Sequence, residues 1–210
     1  MLRSLSAFFR HEDKNLRDNR WIFASMLVGA IISLIASFVL SVEAIELAKH
    51  PEATLACDLS QAISCGAVGR HWSAALFGFP NSFLGLIAEP VVITVAVAGL
   101  SGIHFPRKFM FAAQIGYTLG FIFAYYLFFM SYVVIGALCP WCLLVTATTT
   151  FVFFAITRYN IRESNLYLPK NISKRAQAFI KRDFDKLILF GLIFAIIAAI
   201  LVKYGSTLFA

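Results

Sequence analysis

Charge is scarce in this chain. Asp, Glu, Lys and Arg make up 14% of its 210 residues, against 60% hydrophobic, whereas a soluble domain carries about a quarter charged residues. That deficit excludes an ordinary water-soluble globular fold, and a mean hydropathy of +0.80 points the same way. Acids are rarer than bases, 11 against 18, which leaves a formal net charge of +7. The basic residues fall between apolar runs and form no patch interleaved with aromatics. The excess therefore reads as topological charge, and no nucleic-acid partner is expected. Internal repeats, low-complexity tracts and a soluble appended domain are lacking too. Cysteine is limited to four residues.

Long apolar runs fill the space that charge leaves. They cover residues 21–42, 83–100, 109–135, about 140–156, and 187–202. Each of the first four has the length or near-length of a membrane-spanning helix. The fifth is short alone and spans if the Lys203 side chain reaches back to the interface. The first run is too long for a secretory signal, and further spans follow it. The expectation is an all-α membrane protein: a four-helix transmembrane bundle (21–157) plus a fifth transmembrane helix (187–210). A basic N-terminus (1–20) and a basic loop (158–186), with an amphipathic turn near 176–180, complete the chain. Fifteen of the 18 Lys and Arg residues lie in 1–20, at Arg107–Lys108, and in 158–186. The opposite side keeps Lys49, Arg70 and Lys203. The positive-inside rule then places the N-terminus in the cytoplasm.

That topology sends all four cysteines to the extracytoplasmic side. Cys57 and Cys65 lie in the long connection 43–80, and Cys139 and Cys142 form Cys-Pro-Trp-Cys where the fourth span begins. Thiols outside the cytoplasm are usually paired. A Cys-x-x-Cys at a helix start closes a small ring, and its first thiol meets unsatisfied backbone N–H groups that stabilise a thiolate. Pro140 suits a first helical turn, and Trp141 suits the membrane interface. Two pairs on one face permit serial thiol–disulfide exchange. Two other readings stay open: a structural clip, and a metal site using four thiolates. Zinc ligands usually come as two tight pairs, whereas here seven residues, Asp58 to Ser64, separate the first pair. Redox chemistry is favoured, with no metal ligand assigned.

The segment Cys57-Asp58-Leu59-Ser60-Gln61-Ala62-Ile63-Ser64-Cys65, then Phe77-Gly78-Phe79-Pro80-Asn81-Ser82, then Cys139-Pro140-Trp141-Cys142 resembles the vitamin K epoxide reductase family. The likeness covers roughly residues 20–157, and the fifth span points to the bacterial branch, whose members resemble DsbB-type quinone oxidoreductases. The resemblance implies that 21–157 is a catalytic bundle in the plasma membrane. Cys57 would exchange with a thioredoxin-fold partner, and Cys65 would pass electrons on through a transient disulfide with Cys139. Cys142 would face the quinone, and Asn81 would stand near the quinone carbonyl as an oxyanion donor. The cofactor implied is a membrane quinone, menaquinone or ubiquinone. Some relatives carry a thioredoxin-like domain after the fifth span. This chain ends at Ala210, so the expected partner is a separate DsbA-like protein. Two positions depart from the family pattern: His71 stands where Ser or Thr is usual, with Ser73 two residues on, and Thr146 occupies the region of the family's tyrosine. Both weigh against vitamin K epoxide as substrate. Reduction of vitamin K quinone or its epoxide is the alternative activity, and a non-enzymatic metal-binding protein is the alternative class.

Glu89 is the one acid inside an apolar run, where an ionisable group is costly. It reads equally as functional or as reaching polar neighbours or water, and is not assigned to the site. Tyr125, Tyr126, Phe128 and Phe129 read first as packing and second as the walls of a quinone pocket. Asp58 beside Cys57 would tend to raise that thiol's pKa, an effect that solvation keeps small.

Overall fold

The computed structural model describes residues 14–208, with side-chain surroundings for 16–205. The basic residues Arg3 and Arg10 of the N-terminal segment lie outside that range. Among the described residues five helices are long and apolar enough to cross a membrane, and the protein is an all-α, multi-pass membrane protein. They are α1 (Lys14–Lys49), α3 (Ser82–Leu100), α4 (Arg107–Phe129, continued by a π-helical turn, Met130–Ile135), α5 (Pro140–Arg162) and α7 (Phe184–Leu208). Between α1 and α3 the chain forms the short helix α2 (Cys65–Arg70) and a 3-10 turn, Trp72–Ala75. The basic connection before α7 contains a three-turn helix, α6 (Lys170–Lys181), where the sequence suggested a loop with one amphipathic turn. Its Ile180 is buried, while its cations lie on exposed positions, the disposition of a helix lying in a membrane surface.

Apolar runs mark hydrocarbon depth, and helices outrun them. The α1 helix continues seven residues past Val42, because Glu43 to Lys49 contains no helix breaker and Pro51 is the first. This extension carries Glu43 to the level of the cysteines.

Helix α1 is the hub. It packs along α3 and α5, and α5 packs along α4, whereas α3 and α4 make little contact with each other. The α1–α3 seam uses small residues: Ser33, Ser37 and Ser41 recur every fourth position and are all buried, which lets the backbones approach. Two hydrogen bonds cross it. Ser41 donates to the Ser82 hydroxyl at 2.9 Å, and Ser33 donates to Glu89 Oε1 at 2.8 Å. Glu89, 5% exposed, thus meets a polar neighbour.

At the end of the bundle away from the cysteines, Phe23, Met26, Val95, Met110, Val152 and Tyr159 form the apolar core. There Asn160 donates to Gln114 Oε1 at 2.9 Å and Gln114 to Thr157 at 2.9 Å, tying α5 to α4. Arg158 grips both carboxylate oxygens of Asp185 at 2.8 and 2.7 Å and fixes the start of α7. The far end of α7 returns to the cysteine side. There Lys203 donates to the Tyr132 carbonyl and sits over the Tyr132 ring, so its ammonium is held by α4. Gly136, at φ 75°, ends the π-helical turn in the left-handed region and lets the chain turn at once into the Cys-Pro-Trp-Cys segment.

Candidate functional site

Cys139 is the N-cap of α5, and its sulfur accepts the Cys142 backbone N–H at 3.4 Å. Pro140 takes the first helical position, where its missing N–H costs little. One helical turn therefore separates the two sulfurs. Cys139 is buried, 1% exposed, and Cys142 is partly exposed; both line the interior cavity. The Cys142 side chain and the backbone N–H groups of Cys142 and Trp141 hold the Cys139 thiol below its ordinary pKa. They outweigh burial and the nearby Glu43, which push the other way.

Cys57 and Cys65 are joined as a disulfide, and Cys139 and Cys142 are free thiols. The Cys65 and Cys139 sulfurs stand 3.1 Å apart. A non-local pairing sets that approach: Ile63 and Leu138 form a parallel β-bridge, with Ser64 N–H donating to Leu138 O at 3.0 Å and Leu138 N–H to Ala62 O at 2.9 Å. Each strand of the bridge leads directly into its cysteine. A free thiol in contact with a disulfide, its pKa held below the ordinary thiol value, is the arrangement that thiol–disulfide exchange requires. The Cys57 sulfur also lies 3.2 Å from Glu43 Oε1. Glu43, Cys57 and Cys65 place their ligand atoms within 4.8 Å of one another. With the two sulfurs bonded to each other, they offer no thiolate to a metal.

Asp58 organises this loop. Its carboxylate accepts the N–H of Leu55 at 2.8 Å, the N–H of Gly66 at 2.8 Å and the Ser64 hydroxyl at 2.7 Å. Burial raises its pKa, but those donors and the Arg70 charge outweigh burial and bring it below the usual aspartate value. A carboxyl depressed in the folded state contributes order that is complete above its unfolded pKa and is lost as pH falls through the folded one. Amide exchange at Leu55 and Gly66, corrected for intrinsic rates, should therefore accelerate below about pH 4. In Asp58→Ala it should be fast at every pH.

The cavity inside the bundle has a volume of about 1630 Å³ and is walled by α1, α3, α4, α5 and the 3-10 turn. That exceeds the usual range for ligand pockets, about 300–1,000 Å³, and the cavity extends from the cysteines past Glu89 to Met26 and Ile156 of the apolar core. Tyr126 and Phe128 line it. Tyr125 instead meets the Thr150 hydroxyl at 3.1 Å, and Phe129 is 53% exposed on the outside of the bundle. The aromatic run is thus divided between wall and exterior.

Asn81 also lines the cavity. Its Nδ2 donates to Ser73 O at 2.6 Å and its Oδ1 accepts the Leu76 N–H at 3.1 Å, so the carboxamide plane is fixed by the turn. His71 caps the 3-10 turn: its Nδ1 accepts from Ser73 N–H at 3.3 Å and lies 2.9 Å from the Ser73 hydroxyl. Ser73 itself is buried and faces the cavity. Thr146 is buried and lines the cavity from α5, its hydroxyl bonded to the Cys142 carbonyl at 2.9 Å.

Comparison with protein families matches the vitamin K epoxide reductase family over residues 24–157. The chain belongs to that family. The matched segment holds all four cysteines, Asn81 and all but the start of α1 and the end of α5 among the four helices around the cavity, and leaves α6 and α7 outside it. Comparison with curated proteins finds no match. As a member of the vitamin K epoxide reductase family with an oxidised and a reduced cysteine pair in contact, the protein is a membrane redox enzyme. Glu43 and the Ser33-Ser37-Ser41 stripe escape a reading by apolar runs and motifs. A four-residue serine period in the first run, and the lack of a breaker before Pro51, were the signals for them.

Proposed function

We propose that this enzyme reoxidises an extracytoplasmic thioredoxin-fold protein of the DsbA type and passes the electrons to a membrane quinone, menaquinone or ubiquinone. Disulfide formation in exported proteins would be supported by this activity. The observation that carries the reading is the 3.1 Å contact between the oxidised loop pair and the reduced Cys-x-x-Cys pair beside an apolar cavity. In this scheme a partner thiolate attacks Cys57 and releases Cys65. Cys65 attacks Cys139 of a Cys139–Cys142 disulfide and frees Cys142 as a thiolate facing the cavity. Attack on the partner–Cys57 bond by the partner's second thiol completes its disulfide, and Cys57 then closes on Cys65 to release Cys139. The bound quinone supplies the two-electron sink. Asn81 keeps one amide N–H beyond its bond to Ser73, and we assign that donor to the quinone carbonyl.

The small contact between α3 and α4 supports entry of a lipid-borne ligand from the side. Gly116 and Gly120 on α4 line the cavity, and a Cβ added at either would meet nothing within 4 Å. The charge distribution supports a plasma-membrane protein with its N-terminus in the cytoplasm and its cysteines outside.

The test is anaerobic turnover of the purified protein with a reduced thioredoxin-fold oxidase and a panel of quinones, with vitamin K epoxide included. One quinol formed per partner disulfide, at catalytic protein concentrations, is the expected result. Reduction of the epoxide alone would assign the protein to vitamin K metabolism. No transfer to any acceptor would overturn both activities.

A further inference from the structure

Glu43 has no place in the relay as described, yet it touches one of its sulfurs. Its Oε1 lies 3.2 Å from Cys57 Sγ, and its Oε2 is buried without a hydrogen-bond partner. A disulfide sulfur has no proton to give, so an ionised carboxyl gains no hydrogen bond from this contact, and a buried unpaired oxygen is costly. The arrangement becomes favourable when Cys57 is a thiol or when Glu43 carries the proton. In other words, the site is built for a proton shared between Glu43 and Cys57.

We propose that Glu43 is the general base that deprotonates Cys57 when Cys57 closes on Cys65. This rests on the relay above and adds its proton step: Cys57 leaves the partner as a thiolate, takes up a proton at its ordinary thiol pKa, and must lose it again before it closes. The Cys57 thiol loses its proton to Glu43 as its sulfur attacks Cys65. The Cys57–Cys65 bond forms, the Cys65–Cys139 bond breaks, and the bonding pair leaves on Cys139 as a thiolate. No outside oxidant or reductant enters. The structure stands at the product side of that step, with Cys57–Cys65 closed, the leaving sulfur of Cys139 3.1 Å from Cys65, and Glu43 still against Cys57. In the reverse direction Glu43 returns the proton to departing Cys57.

Placing the proton there has an electrostatic logic. Glu43 is faced by Asp58 from the loop and by Cys139 and Cys142 from α5. The negative charge of Asp58 is committed to the N–H groups of Leu55 and Gly66, to Ser64, and to Arg70. As Cys139 departs with negative charge, a proton on Glu43 removes one of the neighbouring charges that would oppose it.

An unassisted thiol of ordinary pKa is about 3% ionised at pH 7, so a base that removes this limit is worth up to about 30-fold there and little above pH 9.5. The experiment starts from the full chain with all four thiols reduced, mixed anaerobically with excess short-chain ubiquinone analogue. Each dithiol reduces one quinone. The first equivalent drains Cys139 and Cys142 directly, and the second must pass through closure of Cys57 on Cys65. In Glu43→Gln the second phase should slow about 10- to 30-fold relative to the first at pH 7, with the deficit vanishing as pH passes the thiol range. Glu43→Asp should recover most of it. A second phase unaffected in Glu43→Gln, or slowed equally at every pH, overturns the proposal. Should Glu43→Gln fail to fold, Glu43→Asp decides: a wild-type pH profile supports the base, and a uniform loss at every pH refutes it. Absence of a first phase in the wild type is a different failure, that of the quinone reading itself.

Discussion

Cys142→Ser is expected to abolish partner-driven quinone reduction, by about 10³-fold or more, while leaving the loop disulfide able to exchange. The reason is electron counting on the relay proposed above. Cys139 alone cannot hold two electrons for release as a disulfide within the helix turn, and of the two cysteines, both of which line the cavity, Cys142 is the more exposed. With Cys142 gone, the remaining free thiol is Cys139, 3.1 Å from Cys65. Adding Cys57→Ser removes the competing partner, so the double variant should collect as a Cys65–Cys139 disulfide on mild oxidation. Non-reducing peptide mapping after alkylation reads the bond directly. An S–S bond is about 1 Å shorter than the observed contact, and the Ile63–Leu138 bridge lies beside both cysteines, so closure asks little of the backbone. Free Cys65 and Cys139 in the oxidised double variant would mean that the two pairs do not communicate. Quinone reduction persisting in Cys142→Ser would move the electron exit to another residue.

The five spans were legible because the hydrocarbon core imposes a length and a composition that sequence alone displays. Their ends were not. Hydropathy falls at Val42, but backbone hydrogen bonding carries α1 on to Lys49, and Glu43 enters the site only through that extension. The cysteine spacing made two pairs visible. It could not show their contact, because the Ile63–Leu138 bridge joins segments 75 residues apart. The aromatic run 125–129 offered no rule for which rings face inward: that depends on helix rotation, and α4 changes its pitch in the π-helical turn at Met130. Asn81 was found by motif, while its bonds to Ser73 and Leu76 depend on the 3-10 turn folding back. Glu89 was visible as an anomaly. Its partner Ser33 was hidden, since a serine in an apolar run carries no label for the face it lies on.

That hidden face is where the second large effect is expected. Gly85 lies on α3 against α1, and a Cβ there would stand 2.8 Å from Ser37 Cβ and closer still to its hydroxyl. The hydroxyl can turn aside, since Ser37, though 2% exposed, borders the cavity. Its Cβ cannot, because it moves only with the α1 backbone. Gly85→Leu therefore forces the two backbones apart, at a cost of about 3 kcal/mol from overpacking. The hydrogen bonds that flank it, Ser41 to Ser82 and Ser33 to Glu89, depend on the same close approach, and loosening them strands the Glu89 carboxyl in the bilayer interior. Gly116→Leu is the matched control: it makes the same change on α4, where an added Cβ meets nothing within 4 Å. Thermal unfolding in detergent should show a large loss of stability for Gly85→Leu and little for Gly116→Leu. Equal losses in both would mean that the α1–α3 seam is no tighter than the cavity wall. A large loss confined to Gly85→Leu would locate the bundle's dependence on close helix approach in the serine stripe of α1, the same helix that holds Glu43 against Cys57.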